Sequence, residues 1–327
     1  MHAIIPVAGK GTRMRPVTWS VPKVLIRLAG KTMLGHIIDE LVDAGVRHIT
    51  LIVGYLGDRI VQWARENYSD IEIDFARQER MDGLASAINL AAPMTGDGET
   101  MVVLGDTLFR ADLSRAMEPH RNMIAVKRVE DPARFGVVVM EGDEVTGLVE
   151  KPSEFVSDLA IVGIYAFSSG NQLMDATRRL IESGRKTRGE YQVTDAMQIM
   201  LEEGSAFGCF QVDGWFDCGK PRTTLETNRT LLELGTGADE GEAPENSVII
   251  PPVSLEKGVR IRSSVVGPYV SIASNTTVEN SIVSNSILGS GNRIISASIE
   301  GSITGNGAEI KGKPASLNVG SSCSIEI

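Results

Sequence analysis

The chain has 327 residues, with 42 acidic against 32 basic side chains and a formal charge of −10. That balance excludes a nonspecific nucleic-acid binder, which needs a positive field to release counterions. A hydrophobic content of 42% excludes a disordered chain, and no apolar run is long enough for a membrane-spanning helix. The three cysteines, Cys209, Cys218 and Cys323, are too few and too scattered for a disulfide framework or a thiolate metal cluster. Met1–Val7 runs into a glycine-rich turn and not a cleavage site, so a cytoplasmic protein is expected.

Up to about Leu234, short apolar runs alternate with amphipathic stretches. Ala3–Val7 reads as a buried strand, and apolar pairs at Met33-Leu34, Ile37-Ile38 and Leu41-Val42 recur at helical spacing before Gly45. The spacing then predicts strands at 49–53, 71–75 and 101–104, alternating with helices at 58–67 and 84–92. This alternation implies a mostly parallel sheet covered on both faces. Strand candidates at 123–127, 137–140, 145–150 and 161–167 have little helix between them, which implies antiparallel additions. Helices near 172–183, 193–202 and 224–232, with a strand near 207–212, complete the first domain, 1–234.

Residues 235–246 carry glycines, a proline and the acids Asp239, Glu240, Glu242 and Glu245, and read as a linker. From there to 327 apolar residues recur every six positions, as in Val253, Val259 and Val265, then Val266, Ile272 and Val278, then Ile282, Leu288 and Ile294. A period of six suits a three-sided parallel β-helix, and its register changes at 265/266 and 278/282 predict turns with insertions. Residues 247–327 hold six basic and five acidic side chains, so the negative charge belongs to the first domain.

The segment Pro6-Val-Ala-Gly-Lys-Gly-Thr-Arg-Met-Arg-Pro16 follows the first strand. Gly9 and Gly11 permit tight backbone geometry and close ligand approach, and successive amides can form an anion nest. Arg13 offers a forked donor for phosphate oxygens and Lys23 a mobile point charge. The glycine spacing fails both the dinucleotide-binding fingerprint and the Walker A pattern, and Gly30-Lys31-Thr32 lacks the latter's leading glycine. Ser86 and Ser153 lack a nucleophile elbow, and the four histidines form no evident constellation, His36 lying in an apolar helix and His120 at a helix end.

Gly9-x-Gly11-Thr12-Arg13-x-x-Pro16, with Pro22-Lys23-x-Leu25 and Gly30-Lys31, resembles the signature of the sugar-1-phosphate nucleotidyltransferases. Further segments resemble the same family in the same order: Gln78-x-x-x-Asp82-Gly83-Leu84-Ala85, Leu104-Gly105-Asp106, Phe135-Gly136-Val137, Glu150-Lys151-Pro152, Gly189-Glu190-Tyr191-x-x-Thr194-Asp195 and Trp215-Phe216-Asp217-x-Gly219. The resemblance covers residues 1–230. It implies an α/β protein whose Rossmann-like mixed-sheet nucleotidyltransferase domain is followed by a small left-handed parallel β-helix.

The resemblance also implies roles. Ala8, Gly9, Gly11, Thr12 and Arg13 would hold the nucleotide, with Gln78 and Gly83 at its base. Arg13, Lys23, Lys151 and Asp106 would carry catalysis, and Gly136, Glu150, Lys151 and Val162 would bind the sugar phosphate. Asp106 and Asp217 would share Mg²⁺, a hard cation suited to carboxylates. Cys218 is expected to be a small buried residue and not a nucleophile. The implied reaction is transfer of a nucleotidyl group from dTTP or UTP to glucose-1-phosphate. Ala8 leans towards UTP, whereas the Gln78-to-Gly83 spacing fits a pyrimidine and places dTTP slightly ahead. Rivals are a UTP-specific enzyme acting on glucose- or N-acetylglucosamine-1-phosphate, a mannose-1-phosphate guanylyltransferase disfavoured by Gln78, and a regulatory subunit that binds sugar nucleotide without turnover. Arg13, Lys23, Asp106 and Asp217 together argue against the last. The tail from 247 has no histidine for acetyl transfer, so an assembly role in a homo-oligomer is expected of it.

Overall fold

A computed structural model of the chain describes residues 1–116 and 121–312. His120, Cys323 and the last stretch of the expected β-helix, 313–327, lie outside the described residues. The chain divides into two compact units, Met1–Ile26 with Lys31–Thr227, and Arg27–Gly30 with the chain from Asn228 onward. Among the described residues no helix is long and apolar enough to cross a membrane.

The first unit opens with alternating strands and helices: β1 (His2–Pro6), α1 (Met33–Asp43), β2 (His48–Val53), α2 (Gly57–Asn67), β3 (Glu72–Arg77), α3 (Leu84–Asn89) and β4 (Thr100–Val103). Then come β5 (Thr107–Arg110), β6 (Asn122–Arg128), β7 (Gly136–Glu141), β8 (Glu144–Glu150) and β9 (Leu159–Phe167). The remaining elements are α4 (Gly170–Ser183), α5 (Val193–Glu202), β10 (Phe207–Gln211), β11 (Gly214–Asp217) and α6 (Pro221–Glu233), the last crossing the boundary between the units. Sequence pattern accounts for the helices directly. In α1, Met33, Leu34, Ile37, Ile38 and Leu41 form the buried stripe, and the Thr32 hydroxyl accepts from the Gly35 amide to cap it. Ser169 caps α4 in the same way, and Gly184 ends it in the left-handed region.

Seven strands run in the order β8-β7-β9-β4-β1-β2-β3, and β6 and β10 extend the sheet from β9. Strands β4, β1, β2 and β3 are parallel, while β9 is antiparallel to β4, β6 and β7. The antiparallel additions fall where the helices thin out, as the sequence implied. One face buries Ile4, Ile52 and Val102 against Ala85, Ile88, Leu173 and Met197 of α3, α4 and α5. The chain leaves β1 for β2 on one side and returns to β4 on the other. That reversal opens a crevice beyond the carboxyl ends of β1 and β4, where parallel sheets bind ligands.

The second unit is a three-faced parallel β-helix. Its faces are the stacks 248–249, 265–266, 282–284 and 298–300; 253–255, 270–272 and 287–288; and 260–262, 277–279, 293–295 and 309–311. Inward columns Val266/Val283/Ile299, Leu255/Ile272/Leu288 and Ile261/Val278/Ile294 fill its core. Val248 pairs with Val265, Val265 with Ile282 and Ile282 with Ser298, so successive coils advance by 17, 17 and 16 residues. The register changes are therefore shortenings of an eighteen-residue coil and not the insertions expected from the sequence. Each corner uses a left-handed residue: Asn246, Ser263, Asn280 and Ser296 at one, Gly258, Asn275, Gly291 and Gly307 at the next, and Tyr269, Asn285 and Gly301 at the third. That requirement explains the abundance of Asn and Gly here, because they tolerate this region best.

The acidic segment 235–246 also differs from the linker expected. The amides of Glu240, Glu242 and Glu245 donate to the carbonyls of Leu255, Val259 and Ile261, so the segment is laid along the first coil. Residues 27–30 belong to this unit as well. The Ala29 amide donates to Asn228 Oδ1 at 3.0 Å and to Ser271 Oγ at 3.1 Å, and Arg27 pairs with the mostly buried Glu256. Burial pushes the Glu256 carboxyl up, and the Arg27 charge opposes the shift.

Candidate active site

A cavity of about 490 Å³ occupies the crevice in the first unit. It is lined by the loop after β1 (Ala8, Gly9, Gly11, Thr12 and Arg13), by Lys23, by Gln78 and Gly83 after β3, by Leu104, Gly105 and Asp106 after β4, and by Glu190 and Gly219. All seven residues expected to hold the nucleotide are among these, as are Lys23 and Asp106.

The glycines show why the loops have this composition. A Cβ at Gly9 would meet nothing within 4 Å, so the loop backbone presents itself to open space. Gly11 has φ +58°, and a Cβ there would lie 3.0 Å from both Lys23 Cβ and Thr18 Cγ2, while Thr18 Oγ1 donates to its carbonyl at 2.8 Å. A side chain at Gly105 would strike Val7 Cγ1 at 2.5 Å, so glycine lets the β4 loop lie against the end of β1. Gly83 has φ +134°, and a Cβ there would lie 2.3 Å from the Tyr191 carbonyl oxygen. Tyr191 holds this loop with its backbone, donating from its amide to the Asp82 carbonyl at 2.8 Å and accepting from the Ala85 amide at 2.9 Å. Gln78 is nearly buried, and its side-chain amide donates to the Gly83 carbonyl over 3.4 Å.

Lys23 opens a short 3₁₀ turn after Pro22, and its Nζ lies 2.9 Å from Asp106 Oδ2. Burial pushes the Asp106 carboxyl up, but the Lys23 ammonium, with the Arg13 charge behind it, more than offsets this and leaves it below the usual carboxylate range. Its side chain keeps 46% of its surface exposed, so an ion can still reach it. Asp217 ends β11, which pairs with β5 so that Asp217 faces Thr107, the residue that follows Asp106. Asp217 Oδ1 accepts from the Gly219 amide at 2.7 Å, and a Cβ on Gly219 would lie 3.1 Å from Arg13 Nη2. Gly219 thus keeps space between the second aspartate and the guanidinium. Two carboxylates on neighbouring strand ends are a hard-oxygen donor set that fits Mg²⁺ completed by phosphate and water oxygens. Cys218 supplies no soft ligand, since it is buried and its thiol is pushed up to about 12.

The residues expected at the sugar phosphate form a second group. A Cβ on Gly136 would lie 3.0 Å from Glu150 Oε2, Lys151 Nζ is 3.1 Å from Glu150 Oε1, and Thr194 Oγ1 is 3.3 Å from Glu150 Oε2. Lys151 has φ +45° and is held there by its amide, which donates to the Phe135 carbonyl, and by Arg188 Nη2, which donates to the Lys151 carbonyl at 2.8 Å. Trp215 meets Phe135 edge-on with ring centroids 4.9 Å apart. Trp215 Nε1 and Asp195 Oδ2 are buried without a partner in the protein. Gly136, Glu150, Lys151 and Asp217 do not line the first cavity, and Val162 lies within β9 with 2% of its surface exposed. Sequence reasoning missed Arg188 and the backbone role of Tyr191; Arg188 directly precedes the Gly189-Glu190 pair, which was the available signal.

A family model described as "Nucleotidyl transferase" matches residues 2–233. The UTP–glucose-1-phosphate uridylyltransferase AglF of Haloferax volcanii is 33% identical over 249 residues, covering 73% of this chain and 100% of the relative. The glucose-1-phosphate thymidylyltransferase of Streptomyces antibioticus is 33% identical over 270 residues, covering 80% of this chain and 74% of its own. The bifunctional protein GlmU of Methanocaldococcus jannaschii is 36% identical over 263 residues, but only 61% of its length is covered. A UDP-glucose pyrophosphorylase crystallised with UDP-glucose superposes with a TM-score of 0.60 at 22% identity, over 71% of this chain and 98% of its own, which shows the shared fold.

Proposed function

The chain belongs to the nucleotidyl transferase family, and on that footing we propose that it transfers a nucleotidyl group from dTTP or UTP to glucose-1-phosphate, releasing pyrophosphate. The observation that carries this reading is the convergence, in one cavity, of the Gly9–Arg13 loop, Gln78 with Gly83, and the Lys23–Asp106 pair. A phosphate oxygen of the sugar phosphate attacks the α-phosphorus in line, the bond to the β-phosphate bridging oxygen breaks, and pyrophosphate leaves with that electron pair. No general base is needed, because the attacking oxygen is already ionised. Repulsion between the two anions is the main obstacle, so positioning and cationic clamps carry the rate.

Arg13 binds the triphosphate near the leaving pyrophosphate, and the Gly9 and Gly11 backbone presents amides to its oxygens. Lys23 contacts the α-phosphate, and its ammonium keeps Asp106 ionised. Lys151, fixed by Phe135 and Arg188, binds the sugar phosphate, and Glu150 with Gly136 and Val162 shapes the sugar pocket. Asp106 and Asp217 hold Mg²⁺, which when bound supplies charge neutralisation at the phosphate oxygens. UTP as the sole nucleotide is the second reading, favoured by the uridylyltransferase matched over its full length. The setting is the cytoplasm, and a second copy of the chain is the expected partner, on the outward column Val248, Val265 and Ile282 of the β-helix.

Pyrophosphate release with Mg²⁺, measured across dTTP, UTP, GTP, ATP and CTP against glucose-, N-acetylglucosamine- and mannose-1-phosphate, tests the proposal. Sugar-dependent release confined to dTTP or UTP with glucose-1-phosphate is expected. Release led by GTP overturns the role of Gln78, and no release from folded protein overturns the enzyme reading.

A further inference from the structure

The carboxyl ends of the parallel strands carry the cavity; their amino ends carry a different group of side chains. In the sheet register His2 faces His48, His48 faces Glu72, and Thr50 faces Asp74. Residues opposite each other in parallel strands, or two apart along one, point to the same face, so His2, His48, Thr50, Glu72 and Asp74 share one face. Ligand atoms of His48, Glu72 and Asp74 all lie within 4.8 Å of one another, and His48 Nε2 is 2.9 Å from Asp74 Oδ2.

We propose that His48, Glu72 and Asp74 form a second metal site, for a zinc-class transition-metal dication, at the amino ends of β2 and β3. Charge argues for it. His48 brings at most one positive charge against two carboxylates, so the cluster gains from a cation between them. An ion pair with Asp74 alone gives no reason for Glu72 to converge on the same point. Charged residues do protect an edge strand such as β3, but that role asks only for exposure and not for convergence with an imidazole. The donor set selects the metal, because imidazole favours zinc-class ions over Mg²⁺, and exposure of Glu72 leaves room for water to complete the shell.

A second observation concerns His2. It is 8% exposed, its Nε2 is fixed by Thr50 Oγ1 at 2.8 Å, and its ring stacks on that of His48 with centroids 4.3 Å apart and planes 22° apart. Its Nδ1 is buried without a partner. The stacked ring buttresses the His48 ligand from one side, which is the kind of support that fixes an imidazole for a metal.

Calorimetric titration of Zn²⁺ into the full chain, with excess Mg²⁺ present to occupy the carboxylate pair of the active site, tests the proposal. One Zn²⁺ per chain is expected, with affinity reduced at least tenfold by Glu72→Gln, lost in His48→Gln and retained in Asp106→Asn. Co²⁺ should give a visible absorption band that His48→Gln abolishes. Thermal melting checks that each variant is folded, and Glu72→Gln, on an exposed edge position, decides the matter if His48→Gln does not fold. Absence of stoichiometric uptake, uptake indifferent to both Glu72→Gln and His48→Gln, or uptake lost only with Asp106→Asn, overturns the site.

Discussion

The two ends of the parallel strands place polar groups by different means. At the carboxyl ends the groups sit on loops, and those loops need glycine, for its backbone shape at Gly11 and Gly83 and for the close approach to Val7 at Gly105. At the amino ends His2, His48, Glu72 and Asp74 sit inside regular strands and need nothing but register. A loop-built site can therefore be edited for chemistry without unravelling the sheet, whereas a strand-built cluster shares its residues with the fold.

The largest expected effect tests the first half of that contrast. Arg13→Ala should lower kcat/KM by about 10²–10³-fold while leaving the melting temperature unchanged, because Arg13 is exposed and makes no structural contact that the sheet needs. Steady-state pyrophosphate release beside a thermal melt checks both parts. Gly83→Ala should cross the boundary between chemistry and stability. It forces a side chain at φ +134° into the Tyr191 backbone, so a loss of about 2 kcal/mol by denaturant titration should accompany a raised KM for the nucleotide.

At the other end stability should respond and turnover should not. Thr50→Val removes the buried partner of His2 Nε2 and should cost about 1–2 kcal/mol in urea unfolding, with kcat/KM unchanged. His2 itself gives the smallest effect, readable as a pH dependence. Burial, with the His48 charge nearby, lowers its pKa from 6.5 to about 4. The unfolded chain therefore binds more protons between these values. The stabilisation is complete above pH 6.5 and is lost as the pH falls towards 4, amounting to about 1 kcal/mol between pH 7 and 5.5. His2→Gln should flatten that part of the stability curve, and an unchanged slope would remove His2 as its cause.

The same contrast explains what the sequence could reveal. The cavity loop after β1 was legible because its residues are consecutive and its glycines leave a pattern. Helix α5 was legible to the residue, since Val193, Ala196, Met197 and Met200 keep helical spacing. The pairing of β5 with β11 was not, because two four-residue strands carry no periodicity and come from positions more than a hundred residues apart. The histidine–carboxylate cluster was illegible for a related reason, since only the alignment of β1, β2 and β3 brings it together. The β-helix was recognised from its period but its coil length was missed, because a coil one or two residues short of eighteen still keeps most of its six-residue spacings.

Residues 27–30 add a constraint on timing. Ala29 depends on Asn228 and Ser271, 199 and 242 positions later, and Arg27 on Glu256, 229 positions later. Leu28 and Ala29 are fully buried in the finished protein. During synthesis from the amino terminus this four-residue turn leaves the ribosome long before any of those partners exist. It must wait, apolar and unmatched, while most of the first unit is made. A chain that stops at 234 leaves the turn without Glu256 and Ser271, and such a truncated product should be recovered less soluble than the full chain.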